Sequence, residues 1–316
     1  MIKNGALSSI FSDTFASMFA NLKYHLLMHL IIFIWGFTGI LGKLIHLEFY
    51  QIVFFRVLIA GTSLLLFLLI AGKKIRIKNT ASALKVIGVG IIVVVHWLTF
   101  FKAIQVSTVS LGVLCLSTTT LHVSWLEPIV MKRKFSWIEF LLGLLVIVGI
   151  AFVSGNINTS HHKGVYWGLL SAMLAAFFSV FNARLNRDGI PSSSLTVYEM
   201  LTGTIVIFLW LFFQGEINAG FFEMTQSDFG WLVFLGIVCT SAAFMLMIEV
   251  VNKIGAFSAS LSINLEPVYT MLLAIFILHE NEQLNSRFYF GASFIVVIVF
   301  LNPVLKSLMK RKNAIG

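Results

Sequence analysis

The chain has 316 residues, of which 59% are hydrophobic and only 11% charged. A soluble domain carries roughly 25% charged residues, so water cannot solvate this surface and most of it must face lipid. The net charge of +9 would suit nucleic acid, but the cations are arranged as a membrane-topology signal, which excludes that partner.

The first stretch, 1–23, is a poor signal peptide because it carries Asp13 and no continuous apolar run. Ile10, Phe11, Phe15, Met18, Phe19 and Leu22 recur at helical spacing, as in a short interfacial helix. A later start at Met18 or Met28 is the alternative. No function is assigned to this segment. Apolar spans are then expected at 25–45, 49–71, 82–104, 108–131, 135–154, 164–184, 194–213, 229–250, 257–279 and 287–305. Each is near the roughly 20 residues that cross a hydrocarbon core of about 30 Å. The breaks are charged or turn-like, as at Gly72-Lys73-Lys74, Lys132-Arg133-Lys134, Asp188-Gly189-Ile190-Pro191 and Asn281-Glu282-Gln283.

Ten spans divide into two sets of five. Five is odd, so a second set placed after the first must insert upside down, which is the build of many secondary transporters. The units are expected at 24–155 and 163–305, followed by a basic tail at 306–316. Faint internal similarity supports the duplication. Phe54-Phe-Arg56 aligns with Val197-Tyr-Glu199, and Gly143 with Gly291. With the N-terminus in the cytoplasm, that side collects 17 of the 22 Lys and Arg residues. The other side collects Lys43, Lys102, Lys163 and Arg287, and Arg56 lies within a span. The positive-inside rule therefore puts both termini in the cytoplasm of an inner or plasma membrane.

Several residues carry a resemblance. They are Trp35-Gly36 in the first span, Arg56 in the second and Trp97…Lys102-Ala-Ile in the third. The sixth holds Gly164, Gly168-Leu-Leu-Ser-Ala and Asn182-Ala-Arg184, and the ninth runs from Ala259 through Glu266-Pro267 to His279-Glu280. On these, the chain resembles the EamA-type transporters of the drug/metabolite transporter superfamily over about 28–305. The resemblance implies an all-α membrane protein of ten helices in two inverted five-helix repeats. It also implies export of a small metabolite such as an amino acid or a related amphipathic compound. The first half departs from the pattern. The position matching Pro267 is near Thr120, and Glu127-Pro128 comes about two turns later. Other substrate classes, a nucleotide-activated sugar or a drug-like cation, stay open, as does a structural or regulatory membrane role.

Ionisable groups inside a span are expensive and point to function. Arg56 and Glu199 hold equivalent places in the two halves. They either pair, or face one cavity, or serve separately, with Arg56 snorkelling and Glu199 bonded to neighbouring backbone. Glu266-Pro267 sits mid-span with Asn264 before it and Tyr269 and Thr270 after it. A proline there frees a carbonyl, so this stretch either kinks and lines a cavity or only packs closely. The fourth span offers Thr119 and His122, and the third offers His96. Trp35, Trp97 and Tyr198 lie next to polar or charged positions. The candidate substrate-binding set is therefore Trp35, Arg56, His96, Trp97, Thr119, His122, Tyr198, Glu199, Asn264, Glu266 and Tyr269.

HExxH, GxSxG and GxxxxGK[ST] are all missing, so neither an intramembrane enzyme nor ATP-driven transport is expected. Cys115 and Cys239 lie in apolar spans without metal-ligand spacing, and no cofactor or metal is expected. The partners expected are a small-molecule substrate, a proton or exchanged substrate, and the bilayer.

Overall fold

The computed structural model describes residues 3–73, 75–77, 79–154, 161–254, 262–263 and 265–315. Side chains are described within 22–301, apart from 154 and 252. Among these residues every regular element is helical. The first half holds α1 (Lys3–Leu44), α2 (Phe49–Ile70), α3 (Thr80–Gln105), α4 (Val109–Leu116), α5 (Thr119–Met131) and α6 (Trp137–Ser154). The second half holds α7 (His162–Arg187), α8 (Ser192–Phe213) and α9 (Gln226–Val233). A π-helical segment (Phe234–Ala242), α10 (Ala243–Ile254), α11 (Glu266–Leu278) and α12 (Ser286–Ile315) complete it.

Among the described residues, seven stretches are long and apolar enough to cross a membrane. Three shorter apolar helices, Trp137–Val153, Glu266–Leu278 and Ser286–Leu301, fall at the fifth, ninth and tenth expected positions. Large apolar side chains such as Phe213, Phe276 and Phe290 lie exposed on the outer surface. A bilayer accepts such a surface, because helices satisfy their own backbone.

Three local features depart from the sequence expectation. The N-terminal stretch runs without a break into the first span as one helix, α1. The fourth span is broken into α4 and α5 at Ser117-Thr118 rather than continuous. The break follows from hydroxyl chemistry. Thr118 Oγ1 donates to the Cys115 carbonyl at 2.8 Å and Thr120 Oγ1 to that of Ser117 at 3.0 Å. The backbone there tightens to three-residue bonds, Thr118 N to Cys115 O and Leu121 N to Thr118 O. Pro128 causes no break and lies inside α5. Glu266-Pro267, in turn, opens α11 rather than kinking a continuous helix, because proline tolerates the first helical turn.

The two halves share their caps. α2 and α8 each have 22 residues and start 143 residues apart. Both end in the same three-bond pattern: Ala71 N to Phe67 O, Gly72 N to Leu69 O and Lys73 N to Leu68 O, matched by Gln214 N to Trp210 O, Gly215 N to Phe212 O and Glu216 N to Leu211 O. Gly72 and Gly215 take the left-handed φ that the cap requires, +63° and +74°. α5 and α11 each have 13 residues and start 147 residues apart, and each is closed by a left-handed residue, Lys132 or His279. The packing is paired as well. α2 lies on α8, α6 on α12 and α4 on α11, while α7 packs on α3 and α5 as α1 packs on α10 and α11.

One end of the bundle is laced by long-range polar ties. Lys43 Nζ donates to the Ser107 carbonyl at 2.8 Å, and Gln105 Nε2 to that of Leu47 at 2.8 Å. Gln51 Nε2 reaches the Phe221 carbonyl at 2.9 Å, and Asp228 accepts from His46 N at 2.8 Å. The Glu280 carboxylate accepts from Val109 N at 2.6 Å and Ser110 N at 2.9 Å, capping α4 from a distant part of the chain. Near the opposite end, Arg133 holds both Glu127 and Glu139 at 2.8 Å. Burial works against the Arg133 charge, but hydrogen bonds and charge from Glu139 and Glu127 outweigh it and raise its pKa above the usual arginine value.

Candidate functional site

Arg56 projects from α2 and is 5% exposed. Its Cζ lies 4.0 Å from the centre of the Trp97 ring on α3, which covers one face of the guanidinium. Phe101, one turn further along α3, has its ring centre 5.8 Å from the same carbon. Nε donates to Thr240 Oγ1 at 3.1 Å. Thr240 belongs to the π-helical segment and its hydroxyl donates to the Leu235 carbonyl, five residues back, at 2.8 Å. A hydroxyl has one proton, so Thr240 is the acceptor from Arg56. Next to it, Ser241 Oγ reaches the Gly236 carbonyl at 3.2 Å and the Ala60 carbonyl of α2 at 3.0 Å, with Ser63 Oγ also 3.0 Å away. Wide π turns are frequent at functional sites, and here the turn presents two hydroxyls to α2.

The Arg56 charge is not neutralised by contact. Among the described residues no carboxylate forms an ion pair with it, and Nη1 is buried without a hydrogen-bond partner. Glu266, at the start of α11, is the carboxylate whose field reaches it. Glu266 is half-buried. The second buried charge, Glu199 on α8, is elsewhere. It is 4% exposed, takes a hydrogen bond from Asn182 of α7, and leaves Oε1 without a partner. Arg56 and Glu199 form no ion pair with each other.

The remaining candidates divide among other contacts. His96 clamps α3 to α7. Its Nδ1 is 2.9 Å from both the Ser171 carbonyl and Ser171 Oγ, and Ser171 Oγ lies 3.2 Å from the His96 carbonyl. A carbonyl only accepts, so Nδ1 carries the proton and the Ser171 hydroxyl donates back to α3. Thr119 Oγ1 donates to the Ala172 carbonyl at 3.2 Å, tying α5 to the same helix. His122 packs edge-on against Trp125, which in turn meets Phe177. Trp35 is half-buried in an apolar cluster with Tyr269, whose hydroxyl is 3.1 Å from His29 Nδ1. Tyr198 reaches the Ile75 carbonyl at 3.5 Å, by the connection after α2. Asn264, with Ser258 and Ser260, lies outside the described residues. Thus Arg56 and Trp97 come together, with Glu266 not in contact with Arg56, while Glu199, His96, Thr119, His122, Tyr198, Trp35 and Tyr269 serve other contacts. Thr240 and Ser241 are not among the residues singled out from sequence, and Ser171 and Asn182 stood there only as carriers of the resemblance, not as site residues. For the first two, the small polar run Cys239-Thr240-Ser241 inside an apolar span was the available signal.

Similarity to known proteins now fixes the family. The EamA-like transporter family matches twice, over residues 22–155 and again over 162–303. The chain belongs to the EamA-like transporter family. Among its relatives in Bacillus subtilis (strain 168) are two proteins named as uncharacterized transporters. YxxF is 24% identical over 242 residues, covering 76% of this chain and 77% of its own. YoaV is 24% identical over 280 residues, covering 86% and 94%. A solved structure titled only "Crystal structure of protein" shares the fold at 15% identity and a TM-score of 0.63, over 91% of this chain and 98% of its own. The protein is therefore a multi-pass membrane transporter built on two family repeats.

Proposed function

We propose that this transporter exports a small metabolite, an amino acid or a related amphipathic compound, by secondary active transport. Its ten helices work as two inverted repeats that rock about a site near the bilayer midplane, with both termini in the cytoplasm. The observation that carries the reading is Arg56, a buried intramembrane cation held against Trp97 and Thr240 and lacking a carboxylate in contact. Such a charge is too expensive to keep without a task. The polar lacing of one end by Lys43, Gln105 and Glu280 fits a protein that holds one end shut at a time. Coupling uses a proton or an exchanged substrate.

The test is reconstitution of the full chain into liposomes loaded with a panel of amino acids and small organic acids, with efflux followed by mass spectrometry. At least one amphipathic solute leaves faster than from protein-free liposomes, and Arg56→Gln abolishes the difference. If no solute in the panel moves faster, the reading is wrong. A reporter fused after Ile315 gives the cytoplasmic signal, and an extracytoplasmic signal would overturn the orientation.

A further inference from the structure

The hydrogen bonding around Arg56 is incomplete in a directional way. A guanidinium offers five N–H donors in one plane, and an acceptor must approach along its edges. The Trp97 ring lies against a face and takes up none of those donors. The only hydrogen bond from Arg56 to a described residue is from Nε to Thr240. The edge formed by the two Nη atoms is left over, and this is the edge that fits two oxygens of one oxyanion. Thr240 sets which edge is free. Its own proton is committed to the Leu235 carbonyl, so it must accept from Nε and cannot turn to serve an anion.

We infer that the transported substrate carries an oxyanion, a carboxylate or a phosphate, which binds the Nη edge of Arg56, and that Thr240 is the positioning residue that presents that edge. This rests on the transport reading above. Nη1 is covered by protein in the state seen here, so the anion gains its second contact as the surrounding helices part. The same geometry disfavours a cationic substrate, which would meet an uncompensated like charge.

Binding can be tested without knowing the physiological substrate. The full chain in phosphatidylcholine nanodiscs is melted with benzoate, phenylacetate or inorganic phosphate, and with benzamide or phenylacetamide as neutral matches. A ligand that binds the native state raises the melting temperature. Benzoate, phenylacetate or phosphate raises it and the amides do not. Thr240→Val weakens oxyanion binding roughly tenfold, and Thr240→Ser, which keeps the acceptor, stays within about twofold of the parent. Equal responses to acids and amides, no response to any oxyanion, or unchanged binding in folded Thr240→Val overturns the inference. A response to phosphatidylglycerol nanodiscs alone assigns the oxyanion to a lipid headgroup and overturns the substrate claim. The two proposals fail separately. Oxyanion binding without flux of any solute removes the transport reading, whereas flux that is equal for acids and amides removes only this inference.

Discussion

α2 and α8 end in the same three-bond cap 143 residues apart, yet their equivalent mid-helix charges live in different surroundings. Arg56 of α2 faces an aromatic ring and a π turn, with one edge free. Glu199 of α8 faces Asn182, and the backbone of its own turn abuts Gly90 of α3. The difference extends to the supporting helices. The second half brings Thr240 and Ser241 to α2 on a π-helical segment, whereas 147 residues earlier α3 is regular and carries the buried, apolar Val93 and Val94. Duplication preserved the framework, meaning caps, helix lengths and pairing. The polar side chains around the two matched charges differ where the copies diverged.

Stability should divide in the same way, with matched positions differing wherever their neighbours differ. The largest effect is expected at the capping carboxylate. Glu280→Ala leaves Val109 N and Ser110 N unsatisfied in a buried place and should cost about 2–4 kcal/mol, read as a lower melting temperature of the purified protein. Its counterpart by register is Arg133, half-buried in ion pairs near the other end, and Arg133→Ala should cost about 1 kcal/mol or less in the same measurement. Equal costs would mean that both ends are held alike.

A smaller contrast is expected at Gly143 and Gly291. A methyl group at Gly143 would press on the Leu121 Cα, which is backbone, whereas one at Gly291 would press on a Val153 methyl that can shift. Gly143→Ala should destabilise by about 1–3 kcal/mol and Gly291→Ala by less, as measured by thermal melting of each variant. The smallest effect tests where the halves agree. Gly72→Ala and Gly215→Ala each meet open space but force a left-handed φ, and each should cost about 1 kcal/mol. A large difference between those two would break the claim of a shared cap.

Much of this was readable beforehand, because a bilayer writes its demands into long stretches of sequence. Hydropathy placed the helices, and intramembrane charge singled out Arg56, Glu199 and Glu266. Register could match Arg56 with Glu199, but it could not choose their partners. Equivalent positions on duplicated helices still turn toward whatever neighbours the packing supplies, here Trp97 and Thr240 for one and Asn182 for the other. The π turn was not readable either. It depends on hydroxyls meeting carbonyls five residues back while a second helix presses close, and no local composition encodes that. The broken fourth span was hidden for a related reason. The Thr118 and Thr120 hydroxyls compete for carbonyls and make the break, while Pro128 lies inside α5.

The most direct test compares initial flux in proteoliposomes for Arg56→Gln and Glu199→Gln at matched protein content, using whichever solute the parent protein moves. If the divergent half-site carries transport, Arg56→Gln lowers flux roughly tenfold or more, the scale of a lost charge-assisted contact, while Glu199→Gln keeps most of it. Loss of flux in Glu199→Gln with Arg56→Gln unaffected would contradict that account and place the substrate at α7 and α8 instead.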